Sequence, residues 1–233
     1  MEGKLYLLPN LLGIGNPDEL LPANVLQIIR RLRFFIVEDI RTSRRFLSKV
    51  GMEVSIDSLS FFSLNEHTTQ AEIIDYLNPL KDGDMGVLSE AGVPGVADPG
   101  ADIVRLAHQK SVKVIPLVGP SSILMALMAS GLNGQSFAFN GYLPVKRPER
   151  INKIKFFEKR AIQENQTQLF IEAPYRNNSL FEDMVANCLP STMIGIAADI
   201  SLENEFIHTK TAENWRKKMP DLHKRPAIFM IGK

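Results

Sequence analysis

Residues 85–100 read "MGVLSEAGVPGVADPG", and they decide how the chain is understood. A short apolar run ends at Ser89, and "ADIVRLAHQK", from Ala101, has the spacing of an amphipathic helix. The residues between must therefore turn a strand into a helix. Gly92, Gly95 and Gly100 allow positive φ and close approach of a ligand, while Pro94 and Pro99 fix φ and keep the loop from flopping. The expected product is a rigid wall of exposed backbone amides, suited to a flat, hydrogen-bonding small molecule such as an adenosine. It lacks the Lys-Ser/Thr ending of a phosphate-cradling loop. A turn with no role beyond structure is the alternative.

The same transition recurs on both sides of this stretch. "LLPN", "IVEDIR" and "PLVGPSS" also pass from apolar runs to polar, Gly or Pro residues. The patterns predict strands over 4–8, 34–37, 85–89 and 113–118, with helices near 22–32, 42–50, 69–79, 101–110 and 121–130. Such alternation argues for an α/β fold with a parallel sheet, whose ligands bind outside the carboxyl ends of the strands. Gly119, Pro120, Ser121 and Ser122 form a second strand-to-helix turn, in which either serine is positioned to cap the helix. After Gly131 the predicted strands are 136–143, 168–172, 193–197, 205–209 and 227–231, with helices near 149–163, 178–188 and 211–219. Their shorter spacings predict a mixed sheet. The expected organisation is an N-terminal α/β lobe over 1–118 and a C-terminal α/β lobe over 119–233, with a cleft between them.

Composition narrows the function classes. The N-terminal residues break at Pro9 before a long apolar run develops, so neither a signal peptide nor a membrane span is expected and the cytoplasm is the expected compartment. One cysteine, Cys188, permits neither an internal disulfide nor a CxxC metal site, and the histidines have no ligand spacing, so no metal is expected. Lys and Arg total 27 against 26 Asp and Glu, which gives no global signature of nucleic-acid binding. Two local runs are basic: "KRPERINKIKFFEKR" at 146–160 and "RKKMPDLHKR" at 216–225. They read either as solvated helix faces or as a rim that meets a polyanion. "GIGN" at 13–16 lacks the third glycine of a dinucleotide-binding fingerprint.

Taken in order, "LYLLPN", "VEDIRTSRRFL", "NEH", "VLSEAGVPGVADPG", "VGPSSILMALMASGL", "FNGYLPVK" and "FIEAPYR" resemble the successive motifs of the tetrapyrrole-methylase superfamily. Within it the chain is most similar to the ribosomal small-subunit RNA cytidine 2'-O-methyltransferase family, as a divergent member. The resemblance implies two α/β lobes, S-adenosylmethionine (SAM) between them, a homodimer, and RNA or the small ribosomal subunit as substrate. Carried onto this sequence, it implies cofactor contacts at Pro9, Ser89, Glu90, Ala91, Gly92, Val96, Ala97, Ser121, Glu172, Ala173, Pro174, Pro226 and Ala227.

The substrate side departs from the family pattern. Asn10 stands where a Thr is usual, Asn65-Glu66-His67 replaces an H-[DE]-H motif, and Tyr175 replaces the His of the last motif. "AADISLE" lacks the usual Arg and Lys at Ala198 and Leu202. Methyl transfer from a sulfonium is an in-line displacement that needs positioning and no metal, but a ribose hydroxyl needs a base beside it. Glu38 and Asp39, or Glu66 and His67, are the candidate catalytic groups. The first pair also reads as carboxylates at a helix start facing arginines one turn on. Arg41, Arg44, Arg147, Arg150, Lys153 and Arg176 are the candidate RNA contacts. Two other functions fit the same motifs: methylation of a tetrapyrrole- or corrin-type small molecule, and SAM binding without catalysis.

Overall fold

The computed structural model describes residues 3–65 and 68–233. It divides into two compact units, Met1–Ser121 and Ser122–Lys233, each built on its own five-stranded sheet.

The first unit carries strands β1 (Leu5–Leu8), β2 (Phe34–Val37), β3 (Ser60–Ser63), β4 (Met85–Leu88) and β5 (Val114–Pro116), in the order β3-β2-β4-β1-β5. Every neighbouring pair is parallel. Helices α1 (Pro17–Leu20), α2 (Ala23–Arg31), α3 (Ile40–Val50), α4 (Gln70–Asp75) and α5 (Gly100–Gln109) connect them. Both faces are covered, as the uninterrupted apolar strands require. Leu8, Phe35, Val37 and Leu88 pack with Val25, Ile29 and Leu47 on one face, while Leu5, Ile36, Met85 and Val87 pack with Ile73, Ile103 and Ala107 on the other.

Local chemistry fixes the element ends. Asp39 caps α3 by accepting from the Thr42 amide at 2.8 Å, and Gly51, in the left-handed region at φ 76°, ends it. A reciprocal capping box of Thr69 and Glu72 starts α4. The helix expected near 69–79 stops at Asp75, because Pro79 has no amide to continue it, and 78–81 tighten into a 3-10 turn. The strand expected over 113–118 is shorter, ending at Pro116, although the Leu117 amide still reaches the Leu7 carbonyl at 3.1 Å. Strand β3 was not expected from the sequence.

The second unit has helices α6 (Ser122–Ser130), α7 (Arg147–Gln163), α8 (Asn177–Asn187) and α9 (Ala212–Lys217). Its strands are β6 (Phe137–Tyr142), β7 (Thr167–Ile171), β8 (Met193–Ala198), β9 (Phe206–Thr211) and β10 (Ala227–Gly232), in the order β6-β7-β10-β8-β9. The sheet is mixed: β6 and β7 run parallel and the other pairs antiparallel. Its core joins Phe170, Phe229 and Ile196 to Phe181, Met184 and Trp215, whose indole donates to the Ile194 carbonyl at 2.8 Å. Cys188 is buried at the end of α8. Among the described residues, no helix is long and apolar enough to cross a membrane, and no group of three or more His, Cys, Asp or Glu is arranged to hold a metal ion.

Candidate active site at the carboxyl edge of the first sheet

Strands β2 and β4 are neighbours, yet the chain leaves β2 toward β3 on one side and leaves β4 toward β5 on the other, with β1 on the far side of β4. That divergence is the topological switch point of an open parallel sheet, where ligands bind beyond the strand ends. Asn10 joins the loop after β1 to the loop after β4. Its backbone amide donates to the Gly92 carbonyl at 2.7 Å, and its side-chain amide donates to the carbonyls of Ser89 and Glu90 at 2.9 and 3.1 Å. Pro9, buried beside it, lies so close to Gly119 that a Cβ on that glycine would stand 2.0 Å from the proline Cβ. Ser121, half-buried, ends this unit.

The loop after β4 is held from within. One carboxylate oxygen of Asp98 accepts from the amides of Gly95 and Gly100 at 2.6 and 2.8 Å, closing the turn around Val96 and Ala97. Ala97 sits at φ 60°, a left-handed conformation that costs energy outside glycine. Gly92 is at φ 71°, and a Cβ there would meet Leu12 at 3.3 Å and the Pro120 carbonyl at 3.4 Å. The buried Ser89 hydroxyl donates to the Ala91 carbonyl at 3.1 Å, whereas Glu90, Ala91, Val96 and Ala97 are exposed.

The two adjacent carboxylates at the end of β2 have separate environments. Asp39 is exposed, and the Thr42 amide it caps holds its carboxyl below the usual range. Glu38 is half-buried, accepts from the Glu90 amide at 3.3 Å, and shares a small recess with Asp98. Burial raises its pKa, and the neighbouring carboxylates of Asp98 and Glu90 raise it further against the lowering effect of that amide. Asp98 is raised by burial too, despite the two amides that favour its anion. Glu66 and His67 lie outside the described residues.

Helix α3 sorts its arginines. Arg41 is exposed, whereas Arg44 pairs with Asp57 and stacks over the Phe61 ring at 5.9 Å. Thr42, Arg45 and Lys49 line a cleft of about 340 Å³ together with residues 10–14 and Glu90.

In the second unit, Glu172 is buried at the end of β7. One of its oxygens accepts from the Ala173 amide at 2.7 Å and from the Arg176 guanidinium at 2.9 and 2.5 Å, and the other has no partner among the described residues. Arg176 is thus held on Glu172 rather than presented freely to a phosphate. Pro174 is exposed, its carbonyl accepts from the Lys224 amide at 3.0 Å, and Pro226 and the buried Ala227 lead into β10. Arg150 corrects the sequence expectation. It is 4% exposed and donates to the buried Asp183 carboxylate at 2.8 and 2.6 Å and to Ser179 at 2.9 Å, so it is a core ion pair and not an RNA contact. Arg147 reaches the other oxygen of Asp183 at 2.9 Å but stays largely exposed, as does Lys153.

Sequence reasoning missed Asp98 and Lys49 and gave Asn10 no role in holding the loops. Asn10 carried a signal, since it replaces the usual Thr of the motif. Asp98 sits between two glycines of the quoted loop, and only the fold shows which amides it takes.

No family model matches the chain. It is 29% identical over 208 residues to "Ribosomal RNA small subunit methyltransferase I" of Escherichia coli O157:H7, covering 89% of this chain and 68% of that protein. The protein of the same name from Haemophilus influenzae is 29% identical over 235 residues, covering 99% and 79%, and that of Vibrio cholerae 31% over 210 residues, covering 90% and 66%. Among solved structures, the methyltransferase CobJ superposes with a TM-score of 0.65 at 14% identity, covering 99% of this chain and 94% of that one. Cobalt precorrin-4 methyltransferase CbiF gives 0.62 at 14% identity, covering 98% and 94%. These likenesses, with the all-parallel first sheet and the mixed second one, bear out the resemblance to the tetrapyrrole methylases and, among them, to the small-subunit ribosomal RNA methyltransferases, and the chain is a methyltransferase.

Proposed function

We propose that the chain methylates a ribose 2'-hydroxyl of small-subunit ribosomal RNA from S-adenosylmethionine, in the cytoplasm and as a homodimer. The observation that carries this reading is the join of the 29–31% identity to ribosomal RNA small subunit methyltransferases I with a rigid, carboxylate-bearing edge on the first sheet. A corrin-type acceptor has only the 14% fold likeness behind it.

The residues suit the cofactor. Glu38, Glu90 and Asp98 gather negative charge at the strand ends, which complements a sulfonium and an amino group, and the exposed residues Glu90, Ala91, Val96 and Ala97 offer hydrogen-bonding edges. Pro9, Ser89, Glu90, Ala91, Gly92, Val96, Ala97 and Ser121 are the proposed contacts in the first unit. Glu172, Ala173, Pro174, Pro226 and Ala227 are proposed in the second. When bound, S-adenosylmethionine supplies an electrophilic methyl carbon whose bond to sulfur breaks with the electron pair going to sulfur.

Glu38 is the proposed proton acceptor. As the ribose oxygen forms its new bond to carbon, the hydroxyl proton passes to the Glu38 carboxylate and from there to solvent. The raised proton affinity of Glu38 suits that task better than the depressed affinity of Asp39, whose carboxylate is committed to the helix cap. Arg41, Arg147 and Lys153, all exposed, are the proposed outer contacts to RNA phosphates. For the homodimer, the edge strand β6 presents Phe137 and Tyr142 at 39% and 63% exposure.

The test is incubation of the protein with labelled S-adenosylmethionine and small ribosomal subunits from a strain lacking the enzyme, with the methyl mapped by mass spectrometry. One ribose-methylated nucleotide is expected. Label that reaches no RNA, or that sits on a base, refutes the reading.

A further inference from the structure

The cleft of about 340 Å³ beside the switch point is lined by two cations that no described residue pairs. Arg45 and Lys49 stand four residues apart on α3 and therefore project from one face of it. Neither forms an ion pair with a described residue, although the adjacent Arg44 is paired with Asp57. The loop across from them carries Gly13 and Ile14, the latter 90% exposed and offering an apolar face. Glu90 lines the same cleft. Its carboxylate is engaged by the Thr42 hydroxyl at 2.6 Å, and its backbone amide holds Glu38. The cleft thus shares a wall with the proposed proton acceptor.

We propose that this cleft seats a single unstacked nucleotide of the RNA substrate next to the transfer site, with its phosphate on Arg45 and Lys49 and its base against Ile14; this rests on the RNA reading above. The volume lies at the low end of pockets that enclose a small ligand, about 300–1,000 Å³. That size matches one nucleotide better than a duplex. The substrate class is therefore a single-stranded or splayed segment, the form in which RNA presents its base faces to apolar side chains. An anion is what the two cations require, and the carboxylate of the cofactor is a second source of one. The test must separate the two.

The experiment compares the wild type with Arg45→Gln/Lys49→Gln, with Arg45→Glu/Lys49→Glu, and with Arg44→Gln. Both target side chains are exposed, so circular dichroism is expected to show folded variants. Affinity for S-adenosylmethionine is read by calorimetry, and affinity for the ribosomal RNA segment by titration at several salt concentrations. The expected result is cofactor affinity within twofold of wild type, RNA affinity at least tenfold weaker, and a salt slope smaller by about 0.7 for the one single-strand phosphate lost. Arg44→Gln is expected to leave all three unchanged. Unaltered RNA affinity in both double variants overturns the proposal. So does loss of cofactor affinity with RNA binding intact, which would assign the cations to the cofactor carboxylate, or an equal loss in Arg44→Gln, which would reduce the effect to general surface charge. If the wild type methylates no RNA, the RNA reading itself falls and takes the cleft assignment with it; if it does and the variants do equally, only the cleft assignment falls.

Discussion

Replacing Arg150 by alanine is expected to melt the second unit rather than to weaken RNA binding. Arg150 and Asp183 are 4% and 1% exposed, and the guanidinium makes two contacts to one carboxylate oxygen at 2.8 and 2.6 Å. Removing it leaves a buried carboxylate with Arg147 as its remaining ion partner, and the side chain of Arg147 is 69% exposed. Breaking a buried pair from one side costs about 3–5 kcal/mol, because the surviving charge stays desolvated. At about 2–4 °C per kcal/mol for a chain of this size, the midpoint of thermal unfolding falls by roughly 6–20 °C.

The assay is thermal unfolding followed by circular dichroism for Arg150→Ala, for Asp183→Ala and for Arg150→Met/Asp183→Leu. The two single variants are expected to lose similar amounts. The double apolar variant is expected to regain most of the loss, because no charge is left buried. If Arg150→Ala melts within about 1 °C of wild type, where ordinary surface substitutions fall, and at the same time weakens RNA affinity, the inward geometry is refuted and Arg150 returns to the RNA contacts.

Two further outcomes follow from the first unit. Gly92→Val is expected to abolish S-adenosylmethionine binding in calorimetry, since it forces a β-branched residue to φ 71° with Leu12 at 3.3 Å from its Cβ; unchanged affinity removes this loop from the site. Glu38→Gln is expected to slow methyl transfer yet stabilise the fold at neutral pH. Burial raises the folded pKa of Glu38 above its ordinary value of 4.5, so the native state holds the proton more tightly than the unfolded chain. Stability is thus full below the unfolded pKa and is lost as pH rises through the folded one. The stability difference between variant and wild type should be near zero in acid and grow through that window, as read by urea unfolding at a series of pH values, and a variant less stable than wild type at neutral pH contradicts the assignment.

The fold was largely legible because three strands of the first sheet, β1, β2 and β4, announce their carboxyl ends chemically. Leu8-Pro9-Asn10, Val37-Glu38-Asp39 and Leu88-Ser89-Glu90 each switch from apolar to polar where the strand leaves the sheet. Strand β3 was illegible for the opposite reason. "SFFS" is four residues long, lies at the sheet edge and is bounded by serines, so it carries neither a long apolar run nor a clear alternation. Strand order was illegible altogether. That β4 lies between β1 and β2 depends on packing both faces of the sheet, and without that order neither the switch point nor the join of Asn10 to Gly92 has a place in the sequence.

Charge direction is the part of the site that residue type cannot give. Arg44 and Arg45 are consecutive and chemically identical, yet a helix turns by about 100° per residue, which sends one toward Asp57 and the other toward the cleft. The same rotation sends Ile154 of α7 into the core on the face of Arg150 while Lys153, one residue before it, remains outside. A basic run therefore states how much positive charge a helix carries and nothing about where the charge is spent. A carboxylate partner is what ties a cation into the fold, although Arg147, on Asp183, stays 69% exposed. Arg44, Arg150 and Arg176 each have one; Arg45 and Lys49 pair with none among the described residues, in a cleft where the carboxylate of Glu90 is taken by Thr42, and an anion brought by the substrate is what that arrangement is able to hold.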